Sequence, residues 1–256
     1  MVIDRPGAIA VSATDIYATD FWRDAVRRIN AKTLQVAGRL RLTLPFTIVT
    51  TTSRDNAFLP EAVAVGSGSV WIATARGALA RVDLGLRRVG AMLRLPPDAF
   101  QGIAAGGDAI WLSESLLGVY RVSAKTDRLV ARIPVGPRSG RFVPVELYAV
   151  RGKPLAVGEW TNGGAATNRN GLALVDTARN HVQSVTPLPA GQLTSAYGLG
   201  SLWVARVSGS SLERINPQTG RSVGRFHTHI GTMLAVAGGH LWTAFHDGTV
   251  RRVSAR

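Results

Sequence analysis

GSGSVWIATARGALARVD, residues 66–83, and GGDAIWLSESLLGVYRVS, residues 106–123, carry one message twice. Each reads as a small-Gly pair, an apolar residue, Trp, a short polar stretch and a Gly, and closes on Arg-Val followed by Asp or Ser. The two tryptophans, Trp71 and Trp111, stand 40 residues apart. A fixed period of this size is the mark of a repeat architecture, and it takes precedence over any local reading.

The phrase recurs along the chain. Trp203 takes the aromatic slot in GLGSLWVARVSGSSLERINPQTG, and Trp242 takes it in AGGHLWTAFHDGTVRRVSAR. Tyr17 fills it in SATDIYATDFWRDAVRRINAKT, and Ala156 in the weakest copy, RGKPLAVGEWTNGGAATNRNGLALVDTARN. The six slots are 54, 40, 45, 47 and 39 residues apart. Each copy breaks into four short runs rich in Val, Ile, Leu and Trp, jointed by Gly, Ser, Asp, Asn or Thr, as tight turns between antiparallel strands require. Four strands per period near 40 predict an all-β, six-bladed β-propeller of four-stranded antiparallel blades in one domain. The blades are expected at about 7–43, 61–95, 101–135, 146–187, 193–227 and 232–256. The last copy lacks a fourth strand, and the apolar stub Met1-Val2-Ile3-Asp4 is expected to cover that open edge, with an incomplete seven-bladed ring as the alternative. The slot aromatics are read as packing between neighbouring blades. The recurring Arg is read as reaching turn acceptors or solvent.

Bulk composition bounds the function. The chain has 256 residues, 46% hydrophobic and 18% charged, which is the balance of a globular protein. It contains no apolar run near the roughly 20 residues of a membrane helix. MVIDRPGAIAV lacks the basic region and apolar core of a signal peptide, so a cytoplasmic protein is the expectation, with export or fusion to a longer chain, as in relatives of this kind, the alternative. A monomer is expected. Zero cysteines exclude disulfides and thiolate chemistry. The net charge of +14 comes from 30 basic residues, of which only Lys32, Lys125 and Lys153 are lysines. The arginines are spread without long runs and without interleaved aromatics, so nucleic-acid binding stands as a secondary alternative. Arg39, Arg41, Arg94, Arg132 and Arg225 are expected on fourth strands.

The phrase Gly-x-apolar-x-Arg-[Ile/Val]-[Asp/Asn/Ser]-(Pro)-x-Thr-Gly, best preserved in RINPQTG at residues 214–220, resembles the YVTN/NHL-like bacterial propellers and the virginiamycin B lyase (streptogramin lyase) family. The first resemblance implies a sensory or scaffold domain. The second implies a metal-assisted eliminase, with Mg as its cofactor and glutamates and a His on one face. Three residues after each slot stand Asp20, Thr74, Glu114, Glu159, Arg206 and Phe245. Of these, Glu114 and Glu159 match the lyase glutamate, and the five histidines do not align with its His-x-Glu arrangement. No Gly-His paired with Trp-Asp, the signature of WD40 repeats, appears.

A working face follows from the uneven spacing, because insertions on a rigid scaffold carry function. They fall at residues 45–61, 136–146 and 159–171, all expected as loops at the same end of their blades. Candidate binding residues there are Asp20, Trp22, Glu114, Arg141, Glu159, Trp160 and Arg206. Trp160 lies outside the packing slot in a polar stretch, as a contact aromatic would. Glu114, Glu159, His227 and His229 are the weak metal candidates. The leading expectation is a non-catalytic binding or scaffold propeller with no cofactor, engaging a protein, peptide or small ligand. A metal-dependent lyase is the alternative.

Overall fold

The computed structural model describes residues 6–49, 54–95, 100–114, 118–135, 141–151, 153–162, 165–237, 239–247 and 249–253. The stub Met1-Val2-Ile3-Asp4 lies outside them. Two compact units divide the chain, Met1–Ile133 and Pro134–Arg256.

The first unit holds three four-stranded antiparallel meanders. Blade 1 comprises Pro6–Val11, Asp15–Asp20, Ala25–Asn30 and Val36–Arg41. Blade 2 comprises Pro60–Gly66, Ser69–Thr74, Ala78–Asp83 and Val89–Arg94. Blade 3 comprises Phe100–Gly106, Ala109–Glu114, Gly118–Ser123 and Arg128–Ile133. In the second unit, blade 4 is built from the longer strands Arg141–Val150, Lys153–Asn162, Ala165–Asp176 and His181–Leu188. Blade 5 comprises Leu193–Gly198, Ser201–Arg206, Ser211–Ile215 and Ser222–His227. Blade 6 has three strands among the described residues, Met233–Ala237, His240–Ala244 and Val250–Arg252.

The strand order within every blade is sequential. The six slots all fall on second strands, and the recurring Arg stands directly opposite on the third: Trp71 faces Arg81, Trp111 faces Arg121 and Trp203 faces Arg214. Second strands in blades 2 and 3 are buried along their whole length, so they read as continuous apolar runs, whereas fourth strands are largely exposed. First strands of successive blades lie side by side within each unit, blade 1 against 2, 2 against 3 and 5 against 6.

The repeated phrase now has a physical account. The Trp71 indole N–H donates to the Gly66 carbonyl at 3.1 Å, and Trp203 repeats this on Gly198. Those glycines admit the next blade: a Cβ on Gly66 would stand 2.5 Å from the Ala105 Cβ, and one on Gly198 2.5 Å from Val236. The Arg81 guanidinium lies 5.3 Å from the Trp71 ring centre and donates to Ser69 Oγ, while Arg214 does the same on Trp203 and Ser201. Arg81 also reaches the Ala124 carbonyl and Asp127 of blade 3. These arginines therefore cover the aromatic, and Arg81 in addition reaches turn acceptors of the next blade and staples the two together.

The residue after Arg-[Ile/Val], or after Leu174-Val175 in blade 4, closes the turn into the fourth strand. Asn30, Ser123, Asp176 and Asn216 each accept two backbone N–H groups, two and three residues ahead, and Asp83 accepts three. Between first and second strands, Ser67-Gly68 and Leu199-Gly200 form two-residue turns with both central φ positive, between 51° and 71°, the type I′ geometry that suits strand twist.

Among the described residues the insertions are largely strand rather than loop, and residues 136–140 lie outside the described residues. Residues 45–61 hold most of a two-stranded ribbon, Thr43–Val49 with Arg54–Ala57. Residues 141–146, 159–162 and 165–171 belong to blade 4, whose first three strands run past the fourth. In all, the sheets are the blades of an all-β, six-bladed propeller.

Candidate functional site

In a four-stranded meander, the second-to-third turn and the exit of the fourth strand lie at one end of the sheet. In blade 1 that end is built around Asp24, held at φ 50°. Its carbonyl accepts from the Leu42 N–H at 2.6 Å and its Oδ1 from the Leu59 N–H at 2.8 Å, which fixes both feet of the ribbon to the turn. The turn itself is a short 3₁₀ segment, Phe21–Arg23. It displays Trp22, 66% exposed, with the Phe21 ring edge-on at 5.1 Å.

Asp20 and Glu114 stand at this end of their blades, but neither has exposed surface. Arg27 donates to Asp20 Oδ2 at 3.0 Å, and the Arg132 guanidinium lies 3.6 Å from Glu114 Oε2. The equivalent Thr74 accepts from the Arg76 and Ala78 N–H groups. The position thus supplies a buried polar group that secures the following turn or strand. Arg206, its counterpart in blade 5, is exposed and lines a pocket of about 280 Å³ together with Ser208, Ser210, Ser211 and His229. His229 stacks on Phe245 at 5.3 Å, and His227 ends the fourth strand of blade 5. Arg141, Glu159 and Trp160 lie on the extended strands of blade 4, and their side chains are outside the described residues. Among the described residues, no group of three His, Asp or Glu side chains is placed to hold a metal ion. Arg39, Arg41, Arg94, Arg132 and Arg225 all sit exposed on fourth strands, with Arg225 paired to Glu213.

A second cluster escaped the sequence reading. On the first strands of blades 4 and 5, the Ser195 hydroxyl donates to Glu146 Oε2, and the Tyr148 hydroxyl lies 3.1 Å from the same oxygen and 2.9 Å from Ser195 Oγ. The Tyr197 ring lies 6.5 Å from that of Tyr148. Burial pushes the Glu146 carboxyl above the usual glutamate range, against the hydrogen bonds from Ser195 and Tyr148. Burial also raises Tyr148, with the Glu146 charge adding to it. A cavity of about 170 Å³ adjoins the carboxyl, lined by Val145, Glu146, Val157, Gly158, Asn170 and Leu193, with the exposed Gln192. The signal was present in the register. The residue before the partner of the slot is Ile9, Val63, Ile103 and Leu234 in four blades, but Glu146 and Ser195 in the other two.

No family model matches the chain, and no curated protein matches it. Solved structures do. The WD40 domain of Pan2 from Neurospora crassa superposes with a TM-score of 0.71 at 7% identity, covering 97% of this chain and 75% of that one. The WD40 domain of coronin from Toxoplasma gondii gives 0.68 at 13%, covering 96% and 68%. BamB from Moraxella catarrhalis gives 0.60 at 12%, covering 96% and 84%. At such identities the likeness speaks for the fold alone, and the fold it speaks for is the β-propeller.

Proposed function

We propose that this propeller is a non-catalytic scaffold that binds a protein or peptide through the blade end carrying its second-to-third turns. The observation that carries the reading is Trp22. A tryptophan exposed over two thirds of its surface, on a turn pinned to the ribbon through Asp24, is a rigid amphipathic anchor of the kind that dominates interface energetics. The fold hosts many functions, so the weight rests on the site. Binding is favoured over lyase chemistry because Glu114, one of the two lyase-like glutamates, has no exposed surface and faces Arg132.

The test replaces Trp22 with a photo-crosslinking residue and, as a control, Ser67 at the opposite end of blade 2. Irradiation in the native cell extract is expected to give a discrete adduct from position 22, suppressed by excess unlabelled protein. No adduct, or an equal one from position 67, would overturn the reading. An adduct of nucleic acid would favour the electrostatic alternative.

A further inference from the structure

We propose that the cavity beside Glu146 binds a small organic cation bearing N–H donors, a guanidinium or primary ammonium on a short alkyl stem. The proposal uses no residue of the Trp22 turn, so the failure of either leaves the other untouched.

The cavity holds unmet hydrogen-bonding capacity. Glu146 Oε2 receives the Ser195 hydroxyl and has the Tyr148 hydroxyl within 3.1 Å, which orients the carboxylate but leaves its charge uncompensated. No basic side chain among the described residues pairs with Glu146, although the chain carries 30 of them. The Asn170 amide donates to the Pro189 and Gly191 carbonyls at 2.7 and 2.6 Å, so both its hydrogens are engaged and only its oxygen remains for a guest. Apart from the exposed Gln192 amide, the side chains around the cavity therefore offer acceptors and no donors. Val145, Val157 and Leu193 supply the apolar remainder of the wall.

A pocket built from acceptors around a carboxyl group selects a guest that is cationic and rich in N–H groups, whose charge in turn favours the ionised carboxylate. The cavity of about 170 Å³ suits a small guest. The same guest would relieve the cost of holding a carboxylate in a partly desolvated place. A guanidinium can arrive free or on an arginine side chain, and the test separates the two.

Calorimetric titration of the full chain at neutral pH uses propylguanidinium, butylammonium, butyrate and N-acetyl-arginine amide. Saturable one-to-one binding of the first two, with none of butyrate, is the expected result. Competition by the arginine amide would assign the site to a peptide-borne cation, and its absence to a free one. Glu146→Gln should weaken binding roughly tenfold or more, with its circular dichroism unchanged. Leu193→Trp, which fills the cavity and leaves the carboxylate intact, should abolish binding and stands in if the first variant does not fold. No saturable binding of either alkyl cation, or unchanged affinity in a folded Glu146→Gln or Leu193→Trp protein, would sink the proposal.

Discussion

Asp20 and Glu146 are both carboxylates with little access to water, and their neighbours treat them in opposite ways. Arg27 meets Asp20 at 3.0 Å, with the arginine side chain itself only 13% exposed. Removing one member of such a pair strands the other, so Asp20→Ala should lower stability by about 3 kcal/mol, read as a shift of the urea midpoint at constant slope. Glu146 has hydroxyl donors but no cation among the described residues, and burial raises its carboxyl. The folded state then holds the Glu146 proton more tightly than the unfolded chain does. Its contribution favours folding below the ordinary glutamate value and is lost as pH rises through the raised one. Asp15 acts in the reverse sense, lowered by its hydrogen bonds from Arg28 and Thr14, and its contribution is lost on acidification. Because Asp15 is common to both proteins, comparing wild type with Glu146→Gln isolates the glutamate. Thermal melts between about pH 4 and 8 should show the Gln variant gaining on wild type as pH rises. A constant difference across that range would contradict the assignment.

Among the elements, the type I′ turns were the easiest to foresee and the blade 4 extension the hardest. Ser67-Gly68 lies between two alternating apolar runs, and the turn chemistry is plain in the letters. Leu199-Gly200 adopts the same turn with a bulky residue at φ 54°, 45% exposed. A leucine has no reason to favour that conformation, and Asn does. Leu199→Asn should therefore stabilise the protein by about 0.5–1 kcal/mol, measured by denaturant unfolding. Residues 159–171 gave the opposite lesson. Their Gly, Asn and Thr content resembles a loop because a hairpin that projects beyond its own fourth strand has little core to imprint a period-two pattern. The ribbon after blade 1 was hidden for the same reason, and its position is set by backbone hydrogen bonds to Asp24 rather than by apolar spacing.

Across the whole molecule, the repeat was legible because inter-blade packing writes the same bulky residue at the same strand position. The Glu146 cluster was not, since it departs from the apolar pattern at only two blades and joins residues 49 apart. Repetition also makes the energetics separable. Trp71 and Trp203 belong to different hydrophobic clusters in different units, sharing no partner. Trp71→Phe and Trp203→Phe should each cost about 2 kcal/mol, and the double variant should equal their sum within about 0.5 kcal/mol. A larger deviation in urea unfolding would point to coupling that the separate clusters do not contain. The turn that opens each fourth strand has a wider consequence. An asparagine, an aspartate and a serine all lend it an oxygen for the same pair of amides, so chemistry that differs letter by letter yields one shape. A sequence under that rule can be rewritten almost freely at this position while its outline persists.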